Sequence, residues 1–87
     1  MKAKKIHVMN ASGLHLRPAG ALCQKTMKYK SHIMILYKNK EINAKSVLSV
    51  MASGIKFGDE IEVVCAGEDE DVALEETCRF IENGLED

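Results

Sequence analysis

One short stretch combines residue types that can handle an anion: Gly13-Leu14-His15-Leu16-Arg17-Pro18-Ala19. Gly13 permits a tight turn because it lacks a Cβ, and Pro18 suits the first turn of a helix because it lacks an N–H. His15 is therefore expected at the mouth of a helix, where unpaired N–H groups and the dipole favour an anion. A neutral imidazole there has a free nitrogen that can carry a phosphoryl group. The alternative interpretation is an ordinary surface histidine in a loop.

The helix that would present this stretch is marked by apolar spacing. One predicted helical face contains Ala19, Leu22, Cys23, Thr26 and Tyr29. We expect this helix to run to about Lys28. A residue before proline is disfavoured in the α region, so spacing alone starts the helix at Pro18 and makes Arg17 its cap.

The rest of the chain is predicted to supply four strands and two more helices. Alternating apolar residues indicate strands at Lys4 to Met9, His32 to Tyr37, Lys40 to Asn43 and Glu60 to Ala66. Ser46 is expected to cap a short helix from Val47 to Ser53, ended by Gly54. A last helix should begin at the acids of residues 69–71 and end near Asn83-Gly84. Its predicted buried stripe is Ala73, Leu74, Thr77, Cys78 and Ile81.

The predicted element order, βαββαβα, favours an α+β fold. Each strand has one regular apolar face, which predicts an antiparallel sheet with helices packed on that side. A chain of 87 residues is expected to form a single domain, residues 1–87. The other sheet face should be solvated, yet it carries Met9, Met34, Leu36 and Val64, either as a merely apolar surface or as a contact surface. His7 and His32 are expected at the surface.

Composition argues against several classes of protein. No apolar run approaches the ~18 residues of a membrane span, so we expect no membrane insertion. The N-terminus lacks the apolar region of a signal peptide, which favours the cytoplasm. Cys23, Cys65 and Cys78 form an odd set without Cys-x-x-Cys spacing, so we expect three reduced core thiols rather than disulfides or a metal site. No cofactor is expected.

Charge is divided unevenly along the chain. Residues 1–45 hold ten lysines and arginines against one acid, Glu41, for a net charge of +9. Residues 46–87 hold only Lys56 and Arg79 against twelve acids, for a net charge of −10. The basic half has one arginine and two tyrosines, which makes direct nucleic-acid binding a weak candidate. Its lysines fit better with an acidic protein partner.

The stretch Gly-Leu-His-Leu-Arg-Pro-Ala resembles the active-site signature of the HPr family. These proteins are the histidine-containing phosphocarriers of the bacterial phosphoenolpyruvate-dependent sugar phosphotransferase system. The resemblance covers nearly all 87 residues, and a second family motif recurs around Ser46. It implies that His15 takes a phosphoryl group on Nδ1 from enzyme I and gives it to a sugar-specific enzyme IIA, while Arg17 helps to hold the group. It also implies an open-faced β-sandwich with three helices on one face of a four-stranded antiparallel sheet.

This resemblance implies a carrier that takes part in phosphotransfer rather than an enzyme, and we expect a monomer. A partner surface is predicted beside His15, comprising Leu16, Gly20, Gln24, Lys25, Lys28, Lys45, Val47, Leu48 and Met51. The family often places glycine where Asn39 stands in the turn after the second strand. Asparagine tolerates the left-handed conformation, so the hairpin should survive.

The stretch Lys45-Ser46-Val47-Leu48-Ser49-Val50-Met51 resembles the serine-kinase target of HPr proteins from low-GC Gram-positive bacteria. It implies phosphorylation of Ser46 by an HPr kinase/phosphorylase and binding of the product to a catabolite-control transcription factor. A plain helix cap fits Ser46 equally well.

Two alternative functions compete with the phosphocarrier. The first is a regulatory HPr-like protein that acts mainly by binding a transcription factor, but relatives of that kind have lost the active histidine, which this chain keeps. The second is a small hydrolase with His15 as general base. That reaction needs an orienting carboxylate, and the first half of the chain offers only Glu41.

Overall fold

The computed structural model describes residues 1–85, which contain four strands and three helices. In chain order these are β1 (Lys2–His7), α1 (Leu16–Thr26), β2 (His32–Tyr37), β3 (Lys40–Asn43), α2 (Val47–Met51), β4 (Glu60–Ala66) and α3 (Glu70–Glu82). The predicted order βαββαβα and the α+β class are confirmed. Among residues 1–85, no helix has the length and apolar character needed to cross a membrane.

The strands form one antiparallel sheet in the order β1-β4-β2-β3. β4 therefore lies between β1 and β2, with Ile61 opposite Ile6 and Val63 opposite Ile35. The predicted alternation is confirmed in β4, because Ile61, Val63 and Cys65 are buried while the residues between them are half-buried. Burying one face in this way places the three helices on the same side of the sheet, as in an open-faced β-sandwich.

Several predicted boundaries were wrong by a few residues. β1 begins at Lys2 and ends at His7 rather than Met9. Val8 is nevertheless fully buried in the core, and its backbone pairs with the turn before β4. Its N–H donates to the Asp59 carbonyl at 2.9 Å, and its carbonyl accepts from the Gly58 N–H at 2.7 Å. α1 ends at Thr26, two residues before Lys28, so the buried Tyr29 lies beyond the helix rather than on it.

The short helix α2 also ends earlier than predicted, at Met51 rather than Ser53. Ser53 is buried, and its hydroxyl donates to the Val50 carbonyl at 2.6 Å. This bond gives the buried hydroxyl a partner just after the last turn of α2. Ser53 therefore closes the end of this helix instead of extending it.

The hairpin between β2 and β3 has a two-residue turn with both residues in the left-handed region. Lys38 has φ 47° and Asn39 has φ 64°. This is the pattern of a type I′ turn, whose twist matches that of the flanking strands. The prediction for Asn39 is confirmed, while Lys38 adopts the same conformation with its ammonium group 5.2 Å from the centre of the Tyr37 ring.

The core lies between the inner sheet face and the helices. α1 buries Ala19, Leu22, Cys23 and Thr26, as predicted. In α3 the predicted Leu74 is only partly buried, and Phe80 contributes to the core instead. The three cysteines are free and buried, and burial raises the pKa of the Cys65 and Cys78 thiols to about 11. All three thiols therefore stay protonated near neutral pH, since burial also raises the pKa of Cys23.

The outer face of the sheet, opposite the helices, carries half-buried apolar side chains. Met34, Leu36 and Val64 are half-buried and line a shallow depression of about 620 Å³. The predicted fourth member, Met9, lies beyond the end of β1 and borders a different depression. The outer face is therefore apolar at its centre, with charged residues such as Lys5 and Glu62 around it.

The start of α3 is held by carboxylates that bind other parts of the chain. Asp69 accepts hydrogen bonds from the Ser31 hydroxyl at 2.5 Å and from the Lys30 and Ser31 N–H groups, each at 2.9 Å. These bonds, with the Ser31 hydroxyl contributing most, lower the pKa of Asp69 to about 2. Glu70 accepts from the Gly67 N–H at 3.1 Å and from the amino group of Met1 at 3.0 Å, which lowers its pKa too.

Candidate functional site

His15 occupies the residue immediately before α1 and serves as its N-cap. Its backbone is extended, with φ −81° and ψ −166°, and its carbonyl accepts from the Ala19 N–H at 2.8 Å. The imidazole is exposed and has no hydrogen bond or ion pair with any of residues 1–85. The prediction that His15 lies at the mouth of the helix is confirmed, and its ring is open to a reaction partner.

The prediction that Pro18 starts the helix and Arg17 caps it was wrong. α1 begins at Leu16, which makes Pro18 the third helical residue. In the first turn an N–H has no helical carbonyl to bind, so a proline there loses no hydrogen bond. The preference that keeps a residue before proline out of the α region is therefore outweighed at Arg17.

The first turn of α1 has the character of an anion site. The N–H groups of Leu16 and Arg17 belong to the turn in which no earlier helical carbonyl can accept from them. No acidic residue occurs in this turn. The positive end of the helix dipole is therefore uncompensated beside the His15 ring.

The loop before His15 is fixed by a close backbone approach to the loop after α2. The Leu14 N–H donates to the Ile55 carbonyl at 3.2 Å. Gly13 has φ 68°, and a Cβ there would stand 2.8 Å from the Ile55 oxygen. Only glycine fits this position without displacing backbone. We call this approach of Gly13-Leu14 to Ile55-Lys56 the loop contact; it brings residues 55–57 next to the loop that leads to His15.

His15 and Arg17 border two different depressions. His15 lines a shallow one of about 440 Å³ together with Met51, Lys56 and Phe57. Arg17 lines another of about 700 Å³, which extends towards Leu85. The Arg17 side chain is exposed and has no hydrogen bond or ion pair within residues 1–85. Its role in holding a phosphoryl group stays a prediction.

Part of the predicted partner surface is exposed. Leu16 is 62% exposed, Leu48 79% and Met51 39%. Gln24 and Lys28 are exposed on α1 or just after it. Apolar side chains of this size at the surface are suited to contact with another protein.

Other members of that predicted surface are engaged by the fold. The Lys45 ammonium donates to the Tyr29 carbonyl at 2.6 Å, and Val47 packs against the core. The Lys25 ammonium lies 5.7 Å from the centre of the Phe80 ring. Gly20 is half-buried. These residues are less available to a partner than the sequence pattern indicates.

The structure adds Lys56 and Phe57, which sequence reasoning did not place at the site. Both are exposed, Phe57 by 56%. They lie about forty positions after His15, and the loop contact is what brings them near it. The neighbouring Gly54 and Gly58 mark a loop, but no local pattern shows which part of the chain that loop meets.

Ser46 is the N-cap of α2, as predicted. Its backbone is extended, with φ −112° and ψ 113°, and its hydroxyl accepts from the Ser49 N–H at 3.3 Å. The side chain is half-buried. The capping role follows directly from this bond, whereas a regulatory role stays a prediction.

None of the residues that the structure describes orients the His15 imidazole as a general base requires. No carboxylate among residues 1–85 accepts a hydrogen bond from its imidazole. Within the same residues, no three His, Cys, Asp or Glu side chains come together in a group able to hold a metal ion. The arrangement of the described residues favours a nucleophilic imidazole facing an external anion.

Comparison with known proteins gives matches over nearly the whole chain. Residues 2–83 match the family model described as the PTS HPr component phosphorylation site. The phosphocarrier protein HPr of Treponema pallidum is 37% identical over 87 residues, covering 100% of this chain and 99% of that protein. The HPr-like protein Crh of Bacillus subtilis is 30% identical over 82 residues, covering 94% and 96%. A crystal structure of HPr from Thermoanaerobacter tengcongensis superposes with a TM-score of 0.92 at 34% identity, covering 98% and 96%.

Proposed function

Because the chain belongs to the HPr family of phosphocarrier proteins, we propose that it accepts a phosphoryl group from enzyme I on His15 and passes it to a sugar-specific enzyme IIA. The observation that carries this proposal is the exposed imidazole, without a partner among residues 1–85, at the start of a helix whose first turn has no acid. Such a ring is accessible to two successive partners, and the helix start beside it favours the negative charge that the ring acquires.

The proposed reaction needs little from the protein beyond position and charge. The lone pair of Nδ1 forms a bond to phosphorus while the bond between phosphorus and its donor breaks, and the ring proton stays on Nε2. Transfer to the acceptor reverses these roles. The Leu16 and Arg17 N–H groups lie beside the new charge, and a helix N-terminus contributes about 0.3–1 kcal/mol to such an anion. We propose that the Arg17 guanidinium adds bidentate hydrogen bonds to the phosphoryl oxygens.

The surface around His15 suits an acidic and partly apolar partner. Leu16, Leu48 and Met51 supply exposed apolar area, and Arg17 and Lys28 supply positive charge. Apolar contacts surrounded by complementary charges are typical of protein–protein interfaces. We propose that the protein acts as a monomer, in the cytoplasm with the phosphotransferase enzymes.

The test is incubation with phosphoenolpyruvate and enzyme I. We expect one acid-labile, base-stable phosphate on His15, and none in the variant His15→Ala. The matched controls are His7→Ala and His32→Ala, which remove the other two, also exposed, histidines. Because His15 is exposed, its loss should change the free energy of unfolding by no more than about 0.5 kcal/mol. Acceptance by His15→Ala at the native rate would contradict the assignment.

We also propose that Ser46 is a regulatory site, phosphorylated by an HPr kinase/phosphorylase to a form that binds a catabolite-control transcription factor. The similarity to Crh and the position of Ser46 at the start of α2 support this second role. A phosphate would add roughly −1.5 to −2 charges at a helix N-terminus, where the dipole favours them. The carrier role takes precedence over a purely regulatory one because His15 is present.

The variant Ser46→Asp tests this second role. We expect slower phosphorylation of His15 by enzyme I, since the added charge repels an acidic partner, and a nearly unchanged Tm. Ser46→Ala is the control, because it removes the cap without adding charge. Equal rates for native protein, Ser46→Asp and the phosphoserine form would reduce Ser46 to a helix cap.

A further inference from the structure

Lys56 is a cation that lines the same depression as His15. Its side chain is exposed, and both residues line the same shallow depression of about 440 Å³. Arg17, the cation nearest to His15 in sequence, lines the other depression. The structure therefore places a lysine, not the arginine, on the side of His15 that faces the loop after α2.

The position of Lys56 is fixed by backbone contacts on both sides. The loop contact brings its Cα close to Gly13, since a Cβ on that glycine would stand 3.1 Å from it. The Lys56 N–H donates to Asp59 Oδ2 at 2.8 Å, and the Asp59 N–H donates to the Lys56 carbonyl at 3.0 Å. The root of this side chain is thus held beside the His15 loop, while its ammonium group is free to move.

The ammonium group of Lys56 acts on Asp59 only through its charge, which contributes, after the Tyr37 hydroxyl and the Lys56 N–H, to lowering the pKa of that carboxyl. It has no hydrogen bond or ion pair within residues 1–85. The nearby Asp59 carboxylate is already bound by the Tyr37 hydroxyl at 2.6 Å and by the Lys56 N–H. The other basic residue of the acidic second half, Arg79, pairs with Glu75 at 2.6 Å. Within residues 1–85, Lys56 therefore has a positive charge without a hydrogen-bonded or ion-paired partner, and it lines the same depression as His15.

We propose that Lys56 binds the phosphoryl group carried by His15, as a second cation opposite Arg17; this inference rests on the proposed function of His15. An ammonium on a flexible four-carbon stem makes a mobile point charge that can reach an oxygen of a group attached to a neighbouring ring. The contact exists only when His15 is phosphorylated, so it favours the charged form over the free one. Lys56 is a phosphoryl-binding residue in this scheme and takes no part in breaking the bond to the donor.

The experiment uses phosphoramidate, a small phosphoryl donor that requires no partner protein. The His15 nitrogen lone pair forms the bond to phosphorus, the P–N bond of phosphoramidate breaks, and the electron pair leaves on ammonia. A background of His7→Gln and His32→Gln leaves His15 as the single histidine. After the reagent is removed, 31P NMR follows the phosphohistidine signal and its rate of hydrolysis at constant pH and ionic strength.

Four proteins in that background separate the effect of the Lys56 charge on hydrolysis from that of a lysine elsewhere. They are the unaltered form, Lys56→Gln, Lys56→Arg and Lys40→Gln. Lys40 is an exposed lysine of β3 that lines the outer sheet depression instead of the His15 depression. We expect Lys56→Gln to hydrolyse about two- to fivefold faster and to shift the 31P signal, as fits an exposed charge pair. Lys56→Arg should restore the slower rate, and Lys40→Gln should behave like the unaltered form.

Equal hydrolysis rates and 31P shifts for the unaltered and Lys56→Gln proteins would overturn the proposal. The proposal also fails if Lys56→Gln changes only the second-order rate with enzyme I, since Lys56 would then act on the partner alone. Failure of the proposed function gives a different result: the native protein would accept nothing from enzyme I, whatever Lys56 does to the chemically formed phosphohistidine.

Discussion

The starts of α1 and α3 differ in whether acidic side chains compensate the positive end of the helix. Every helix N-terminus has unpaired N–H groups and a positive dipole end. At α3 the acids Asp69 and Glu70 occupy this region, and their oxygens are bound by Ser31, Gly67 and the N-terminus. At α1 the first turn has no acid, and the capping residue is a histidine whose ring has no partner within residues 1–85.

This difference separates stability from function within one small fold. The carboxylates at α3 connect the helix start to the residues before β2 and to the chain terminus, so they hold the fold together. The start of α1 leaves its charge uncompensated, which costs some stability and keeps the place open for an external anion. Removing the acid at the start of α3 and adding one at the start of α1 should therefore change stability and transfer in opposite ways.

The largest effect on stability should come from Asp69→Ala. It removes the acceptor of three hydrogen bonds, including one from the buried Ser31 N–H, and an unsatisfied buried donor is costly. We expect a clear fall in the midpoint of urea unfolding, while His15 still accepts phosphate under native conditions. Glu68→Ala is the control, because within residues 1–85 the Glu68 side chain makes just one exposed ion pair, with Lys30. Equal midpoints for the two variants would contradict this account of α3.

Asp69 also predicts how stability depends on pH. Its pKa is lowered in the folded protein from 3.8 to about 2, so its contribution is complete above about pH 4 and is lost as the pH falls towards 2. Asp69→Asn removes the titrating charge. Its free energy of unfolding should therefore fall less steeply between pH 4 and pH 2 than that of the native protein. Asp59 and Glu70, whose pKa values are also lowered, contribute to the same dependence of the free energy of unfolding on pH.

A smaller effect, on transfer alone, is expected from Arg17→Lys at the open helix start. Lysine keeps the charge but cannot form the paired hydrogen bonds of a guanidinium with phosphoryl oxygens. We expect roughly tenfold slower transfer from enzyme I, equivalent to about 1.4 kcal/mol, with no change in Tm. Arg79→Lys is the matched control, since the only other arginine lies on α3 and pairs with Glu75. A native rate for Arg17→Lys would mean that Arg17 acts as a point charge or not at all.

The smallest effect should come from Leu16→Glu, which gives α1 an acid in its first turn. The carboxylate interacts with the helix dipole, so we expect the free energy of unfolding to rise by about 0.3–1 kcal/mol. The same charge competes with the phosphoryl group, so transfer should slow severalfold. Leu16→Gln removes the same exposed apolar side chain without adding charge. If the glutamate and glutamine variants are equally stable and equally active, the open helix start does not matter electrostatically.

The sequence was sufficient wherever a local pattern determines the structure. Alternation identified all four strands, and the sequence Gly-Leu-His-Leu-Arg-Pro-Ala located the start of α1 to within two residues. The error at Arg17 arose because the rule for residues before proline is a preference, which the first turn of a helix can overcome. Resemblance to the HPr family identified His15 from its neighbours in sequence.

Features that depend on contacts between distant residues could not be predicted in this way. The position of Lys56 beside His15 follows from the bond between Leu14 and Ile55, which no spacing shows. The acids at residues 69–71 were expected at a helix start, but the binding of Asp69 to Ser31 was not. The hydrogen bond from the Lys45 ammonium to the Tyr29 carbonyl could not be predicted either, because the sequence does not distinguish an exposed lysine from a half-buried one.

The central place of β4 in the sheet determines when the protein can acquire its structure during synthesis. β1 and β2 both pair with β4. Lys2 therefore has no opposite residue in the sheet until Cys65 has been translated. The β2–β3 hairpin can form earlier, but an isolated hairpin is only marginally stable in water. Pairings across so much sequence also slow folding. The turn before β4 supplies the partners of Val8, a few residues from the His15 loop. A nascent chain that stops short of β4 therefore has neither a completed sheet nor the turn that pairs with Val8 close to the His15 loop.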